Sequence, residues 1–321
     1  FWRALNQGWR LDVRDLLLQK DGAFWNEVAD RVVANDETDW RVLASYLKTA
    51  DFLPLIEVLP EVVDVSAFSS YLGYVPMGEF VNFEAIFTED ENPDLQLSTG
   101  FSDLGLNIAE QGISIKGLDG ELIIDSNKSE LLIESSDVIV NAGKLFRWPL
   151  QMDIISGKVA IKLEDDSLKL ESPALYVKNQ HVETVTRAFV EISSDKRVFL
   201  DLHSNYANGI AKYAYRYIPT SVLSEGIVDW LDDAFIDGYV PGGSFIFRGI
   251  ANEYPFEDNQ GVMQALFDVE NGRLHFLDGW PDVQNASATV RFHNASLSVE
   301  NARSREQSGA VALVNASIPD L

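Results

Sequence analysis

The chain contains no cysteine among its 321 residues, and this absence excludes several kinds of chemistry. Disulfide bonds, thiol nucleophiles and metal sites built from thiolates all require a cysteine side chain. The absence does not by itself identify a cellular compartment. Any site that this protein carries therefore has to be built from other side chains.

Positive charge is also scarce, with 25 lysines and arginines against 50 aspartates and glutamates, for a net charge of -25. A surface that binds a nucleic-acid backbone needs clustered lysine and arginine side chains. The sequence contains no such cluster, so a nucleic-acid partner is not expected.

Long apolar runs are missing as well. No run approaches the roughly 18 apolar residues of a membrane-spanning helix, and no signal-peptide pattern follows Phe1. The chain begins inside a strand-like pattern, FWRALNQGW, and stops at SIPDL. We interpret it as an internal segment of a longer protein, whose anchor or targeting segment would lie outside this sequence.

Motifs for metal binding are sparse. The four histidines, at positions 181, 203, 275 and 293, form no HxxxH or HxH group. His275 and His293 fall on predicted strands and could be neighbours across a hairpin, but a metal site needs three or four converging ligands. We expect no bound metal.

Catalytic motifs are equally weak. Acidic pairs such as Asp165 and Asp166 do not establish the facing carboxylates of a glycosidase. The glycines at 238, 242 and 243 are typical of a loop, and no phosphate-binding motif accompanies them. We expect no catalytic residue and no cofactor.

Short helices are predicted in two places within a chain that otherwise alternates apolar and polar residues. Pro54 and Pro60 punctuate the first region, residues 52–72. The second helix is predicted over residues 221–236, capped by Thr220 or Ser221 and stopped by Gly238. It presents a wide apolar face that has to lie on another surface.

An internal repeat is the most informative pattern. Three segments each run from a small residue to a glutamate fourteen positions later: Gly120 to Glu134, Gly157 to Glu171 and Ala286 to Glu300. Each alternates apolar and polar residues around a turn containing Asn127, Asp165 or Asn294, which predicts a hairpin with one apolar face.

A stack of such hairpins makes a long antiparallel sheet whose apolar face must be covered or curled inward. Two arrangements satisfy this requirement: a closed sandwich, or a curved open groove that binds an apolar ligand. The alternation places the following residues on the inward face: Leu122, Ile124, Leu131, Ile133, Val159, Ile161, Leu168, Leu170, Val290, Phe292, Leu297 and Val299.

The second helix region carries a family resemblance. It contains Tyr217 with Pro219, Trp230 with Leu231, Gly238, Gly249, Pro255 with Phe256, and Gly279 with Trp280 and Pro281. In this order, over about 70 residues, these elements resemble the YhdP branch of the AsmA-like proteins. The resemblance extends more loosely upstream and implies membership of that family for the whole chain.

The resemblance implies a periplasmic protein of a Gram-negative bacterium, anchored in the inner membrane by a segment absent from this chain. It also implies a U-shaped β-groove in which phospholipid acyl chains move without any reaction. The expected partners are phospholipid acyl chains, the membranes at the two ends of the full-length protein, and unidentified envelope proteins.

Together these observations predict a mainly β protein with an elongated, curved antiparallel sheet and short helices. One continuous groove segment would be subdivided into residues 1–74, 75–218 and 219–321. The residues of the inward face would bind lipid, and the helix over 221–236 would plug, cap or gate the groove. The alternatives are a structural envelope scaffold with a closed β-core and a carbohydrate-active β-protein.

Overall fold

The structure is a computed structural model, and strands dominate the residues that it describes. The described residues are 2–5, 8–16, 19–20, 23–24, 29–36, 39–49, 77–88, 94–108, 112–125, 128–143, 146–164, 166–218, 225–256, 258–275, 279, 281–305 and 311–319. The predicted helices over 52–72 and the turn residues Asn127 and Asp165 lie outside this set.

The first half of the chain supplies the strands β1 (Trp2–Leu5), β2 (Gly8–Leu16), β3 (Gln19–Lys20), β4 (Ala23–Phe24), β5 (Ala29–Asp36), β6 (Asp39–Lys48), β7 (Met77–Thr88), β8 (Asp94–Ile108), β9 (Ile113–Ile124) and β10 (Ser129–Ala142). The second half supplies β11 (Leu150–Glu164), β12 (Ser167–Lys178), β13 (Glu183–Ser193), β14 (Val198–Ile210), β15 (Phe235–Ile250), β16 (Val262–Leu274), β17 (Val283–His293), β18 (Ser296–Arg305) and β19 (Val311–Ile318). The helices that lie wholly within the described residues are α1 (Glu225–Ala234) and the 3₁₀ helices Ala211–Arg216 and Ala251–Glu253.

The main sheet has 17 strands, and β3 pairs separately with β4. Each strand of the main sheet pairs antiparallel with the next strand of that sheet along the chain, from β1–β2 to β18–β19. Within the described residues, β1 and β19 pair on one side only, so the sheet is not closed into a barrel. The predicted mainly β class and antiparallel sheet are confirmed.

Because the sheet is a meander, its connections alternate between two rims. One rim carries the segment 146–149, the turn 179–182, and the described residues 211–218 and 225–234, which contain the 3₁₀ helix Ala211–Arg216 and α1. We call this edge the helix rim. Its opposite edge carries shorter turns, such as 194–197 and 294–295.

The three predicted hairpins are confirmed as β9–β10, β11–β12 and β17–β18, each of which pairs antiparallel. Asn294 occupies the turn of the last hairpin with a φ of 49°. Asparagine tolerates this left-handed conformation better than most residues, because its short side chain hydrogen-bonds locally.

One face of the sheet is defined by its register. Directly paired residues of an antiparallel sheet point to the same side, and successive pairings connect one residue from each strand from β6 to β19. The row runs through Leu47, Phe80, Phe101, Gly120, Ile133, Gly157, Leu175, Thr186, Ser204, Phe245, Ala265, Phe292, Leu297 and Ile318. We call the side of the sheet that bears this row the apolar face.

The row contains one pair of polar side chains, Thr186 and Ser204. Their hydroxyls lie 2.7 Å apart and form a hydrogen bond with each other. The row also contains Gly120, where an added Cβ would lie 2.0 Å from the carbonyl oxygen of Leu132 and 2.8 Å from the ring of Phe101. Glycine is therefore needed there for neighbouring groups to approach the backbone this closely.

The sheet curves at bulges occupied by asparagine and aspartate. Asn82, Asp103, Asp137 and Asn271 have φ values of 53°, 48°, 56° and 52°, and each lies at a shift of the strand register. A bulge bends its strand and increases the local twist. Bulges recurring in β7, β8, β10 and β16 therefore bend the sheet along its length.

The helix α1 ends earlier than predicted. It spans Glu225–Ala234, and the predicted caps, Thr220 and Ser221, lie outside the described residues. The predicted end at residue 236 is wrong, because Phe235 already pairs with Leu274 of β16. The spacing of apolar residues predicts that the helix continues to residue 236, but the hydrogen bonds of β15 with β16 end it at Ala234.

The predicted loop around Gly238, Gly242 and Gly243 is also wrong, because all three belong to β15. A Cβ added at Gly243 would lie 2.4 Å from a ring carbon of Tyr206. The glycine thus leaves room for the Tyr206 ring to lie across the neighbouring strand, where its hydroxyl donates to the Leu266 carbonyl at 3.1 Å.

Candidate functional site

The first part of the apolar face is centred on β8 to β11. Phe101, Leu104, Leu118, Ile133, Val138 and Ile155 are buried there, and we call them the first apolar cluster. Val138 is 0% exposed. Leu122, Leu131 and Val159 are partly buried and pack against this cluster. They form a cross-strand row, since Leu131 pairs with both Leu122 and Val159.

The second part lies on β14 to β18 and at the start of the neighbouring 3₁₀ helix. Ala211, Val240, Val269, Val290 and Leu297 are buried there and form the second apolar cluster. Phe292 packs against it and stacks on Phe267, with ring centroids 6.4 Å apart.

The helix α1 lies over this second part. Leu231 and Ala234 are 4% and 0% exposed, which identifies the buried face of the helix. Trp230 and Leu231 line an apolar pocket together with strand residues that include Val290 and Val299. This helix pocket encloses about 650 Å³ of empty space, part of it open to solvent.

All the residues predicted to line the inward face lie on the apolar face, and all are buried or half-buried. Their positions follow from the register described above. Four belong to or pack against the first cluster: Leu122, Leu131, Ile133 and Val159. Four line the helix pocket: Val290, Phe292, Leu297 and Val299. The remaining four, Ile124, Ile161, Leu168 and Leu170, lie on the same face outside both clusters.

The opposite face carries ion pairs instead. Lys162 Nζ lies 2.7 Å from Glu164 Oε1, and Lys158 Nζ lies 3.1 Å from Glu130 Oε2. Hydrogen bonds from Lys162 and Lys169 lower the pKa of Glu164 to about 2. The two faces thus differ in chemistry along the same strands, as the alternation predicted.

Polar and aromatic side chains gather at the helix rim. They line a small pocket formed by Leu150, Gln151, Asp153, Asn179, Gln180, His181, Arg216 and Tyr217, which we call the rim pocket. Beside it, the His181 ring stacks on Tyr213 with centroids 3.9 Å apart. Burial is the main cause that lowers the pKa of His181 and raises the pKa of Tyr217.

Sequence reasoning missed this rim pocket. Its side chains come from β11, the turn 179–182 and the residues around Arg216, so no local period or spacing connects them. The histidine at 181 was visible as a residue, but its partners were not. The predicted proximity of His275 and His293 is wrong, because His293 pairs with Gln264 while His275 follows the other end of β16.

Metal-binding geometry is absent from the part of the chain that the structure describes, where no three histidine, aspartate or glutamate side chains could hold an ion together. His275 instead contacts Asp282, with its Nδ1 3.0 Å from Oδ1. Among the helices of the same part, none has the length and apolar character needed to cross a membrane.

Comparison with known proteins identifies the family that the motifs resemble. The family model described as YhdP protein matches residues 1–321. The chain belongs to the YhdP family. A curated relative, the intermembrane phospholipid transporter YhdP of Escherichia coli (strain K12), is 26% identical over 84 residues. That match covers 26% of this chain and 7% of the relative, so this YhdP-family chain aligns with a small part of a longer protein. No solved structure matches the chain significantly.

Proposed function

We propose that the apolar face binds phospholipid acyl chains and guides their movement between membranes, without any bond being made or broken. The observation that carries this proposal is the row that crosses fourteen strands, from Leu47 on β6 to Ile318 on β19, and that is interrupted by only one polar pair, Thr186 and Ser204. Membership of the YhdP family and the name of the Escherichia coli relative support it.

The physical basis is the hydrophobic effect. Transfer of an acyl chain from water to an apolar surface contributes roughly 0.8 kcal/mol per buried methylene. A chain lying along many strands would therefore bind without polar recognition, and it could slide because neighbouring positions offer similar contacts. Such binding should discriminate weakly between acyl chains of similar length.

The proposed setting follows from the family. The protein would act in the periplasm of a Gram-negative bacterium, held to the inner membrane by a segment outside this sequence. Its proposed partners are the two membranes and envelope proteins at its ends. In this setting the curved sheet would form an open groove, with the apolar face inside and the ion-paired face in water.

Photo-crosslinking tests the proposal directly. A crosslinking residue would replace Ile161 or Phe292 on the apolar face, and matched controls would replace Lys162 or Arg291 on the opposite face. In cells with labelled phospholipid, we expect lipid adducts at the two apolar positions and background labelling at the controls. Equal labelling of both faces would refute the assignment.

A second measurement separates lipid contact from folding. Replacing Ile161 and Leu170 with aspartate should impair lipid transport while circular dichroism and the melting temperature change little. These side chains are half-buried and lie outside both apolar clusters. Unfolding of the variant would instead assign them to a closed core, as a structural scaffold requires.

A further inference from the structure

The rim pocket has a rigid polar floor. Asn179 is 8% exposed, and its Nδ2 donates to the Tyr217 hydroxyl at 2.8 Å and to the Gln151 carbonyl at 3.2 Å. Its Oδ1 accepts hydrogen bonds from the backbone N–H groups of His181 and Val182 at 2.9 and 3.1 Å. One buried amide therefore ties together three separate segments of the chain.

The aromatic side of the pocket is equally constrained. His181 Nδ1 lies 3.1 Å from the Tyr217 hydroxyl, and the His181 ring stacks on Tyr213. Burial and the nearby cation of Arg216 both lower the pKa of His181. A lowered pKa favours the neutral imidazole, which adds polar atoms to the pocket without adding charge.

Two opposite charges line the pocket without neutralising each other. Asp153 comes from β11 and Arg216 from the end of the 3₁₀ helix Ala211–Arg216, and both are half-buried. Within the described part of the chain, neither side chain forms an ion pair with the other or with any other residue. Half-buried charges of opposite sign in one pocket suit a ligand that carries both charges itself.

The pocket also adjoins the apolar face. Asn179 Nδ2 lies 3.7 Å from the sulfur of Met152, and Met152 packs against the first apolar cluster. Val177, two residues before Asn179, packs against the same cluster. On the other side, Ala211 at the start of the 3₁₀ helix belongs to the second cluster. A polar group in the pocket would therefore stand where apolar surface begins.

We propose that the rim pocket binds a zwitterionic phosphoamine group, in which a phosphate ester carries a primary ammonium. Arg216 pairs with the phosphate and Asp153 pairs with the ammonium, while Asn179 and Tyr217 hold the pocket open between them. The ligand is either the headgroup of a phospholipid whose acyl chains lie on the apolar face or a free phosphoamine. The lipid form of this proposal rests on the proposed function.

Calorimetric titration of the 321-residue chain with glycerophosphoethanolamine tests the site. We expect saturable binding. Glycerol 3-phosphate lacks the ammonium and ethanolamine lacks the phosphate, so each should bind about tenfold more weakly, because one charged group of the pocket stays unpaired.

Two variants test the assigned roles. Arg216→Gln and Asp153→Asn should each weaken glycerophosphoethanolamine binding by about tenfold. Matched controls at the opposite rim are Arg197→Gln and Asp166→Asn, both on exposed turns, and they should leave the affinity unchanged. The site is refuted if the wild-type chain does not bind glycerophosphoethanolamine, or if both pocket variants bind it as tightly as the wild type.

A short-chain phosphatidylethanolamine, used below its micelle concentration, distinguishes the two sources. If a lipid is the ligand, the acyl chains should tighten binding relative to glycerophosphoethanolamine, and Val177→Ser should reduce that gain. The same variant should bind glycerophosphoethanolamine normally, which shows that it is folded.

The outcomes separate this inference from the proposed function. Equal affinities for the short-chain lipid and glycerophosphoethanolamine would identify a free phosphoamine as the ligand and count against acyl-chain binding, while the site itself would stand. Lipid crosslinking at Ile161 without any glycerophosphoethanolamine binding would overturn the headgroup site and leave the acyl-chain proposal intact.

Discussion

Two repeats of the same hairpin lie in different surroundings. The unit from Gly120 to Glu134 packs its apolar side chains against neighbouring strands, in the first apolar cluster. The unit from Ala286 to Glu300 has the same alternation, but its apolar side chains also line a pocket under Trp230 and Leu231 of α1. Ile133 in the first unit and Val290 in the second are 9% and 7% exposed.

The two hairpin units show that apolar side chains can be buried to a similar extent for two different reasons. In the first unit, strand curvature and neighbouring side chains exclude water within the described residues. In the second, a helix from a separate stretch of the chain takes part. We therefore expect that the second unit can be uncovered without unfolding its strands, and that the first cannot. The predictions below test this difference, from the largest expected effect to the smallest.

The largest effect should follow from Phe101→Ala in the first apolar cluster. Phe101 is 4% exposed, and a Phe→Ala change in a core lowers the free energy of unfolding by about 3 to 5 kcal/mol. Amide hydrogen exchange should accelerate in β8 to β10, because the cavity opens where these strands pack together. Chemical denaturation and exchange measurements would check this expectation.

The matched control for this change is Glu121→Ala, an exposed residue on the opposite face of β9. It should leave the free energy of unfolding nearly unchanged. Acceleration of exchange in β17 and β18 as large as in β8 to β10 would contradict the separation of the two clusters.

A smaller and more local effect should follow from Leu231→Ala on α1. Leu231 is 4% exposed, and removing its side chain should cost about 2 kcal/mol, at the lower end for a buried Leu→Ala change. We expect faster amide exchange in α1 and around Val290, with β9 and β10 unaffected. Hydrogen exchange followed by mass spectrometry would map the affected segments.

Asp233→Ala, an exposed position on the same helix, is the control for this variant and should change little. If Leu231→Ala accelerated exchange equally in β9 and β10, the helix would support the whole sheet rather than the second unit alone.

The smallest effect concerns β11 and β12, two of the strands between the two units. There Glu164 forms ion pairs with Lys162 and Lys169 on the face of the sheet opposite the apolar face. These lysines lower the pKa of Glu164 from 4.5 to about 2, so the folded state favours the carboxylate. Its stabilising effect is therefore fully present above pH 4.5 and is lost as the pH falls toward 2.

The melting temperature of Glu164→Gln should accordingly fall less than that of the wild type as the pH is lowered from 4.5 toward 2. Because Lys162 is exposed and Glu164 and Lys169 are only half-buried, water screens these ion pairs. The change should therefore be small and should shrink further at high salt. Thermal melts of both proteins between pH 2 and 7 would check it, with Asp166→Asn as the control. A variant whose melting temperature falls with acid as steeply as the wild type would contradict the assigned role.

Much of the sheet could be predicted from the sequence, because alternation is a local property. The hairpins around Leu122, Ile161 and Val290 followed from apolar residues at every second position, and the register confirms that they share one face. The end of α1 could not be predicted in this way. Whether Phe235 continues the helix or joins the sheet depends on Leu274, a residue distant in sequence.

The sequence by itself therefore determined the strands, the side of each strand that is apolar, and the family. These features depend on side-chain spacing within a few residues and on motifs that lie close together. Only the tertiary structure decided which part of the apolar face lies under a helix. It alone also brought Asp153, His181 and Arg216 into one pocket. Such contacts arise when distant strands and connections meet at one rim, and no local pattern encodes that meeting.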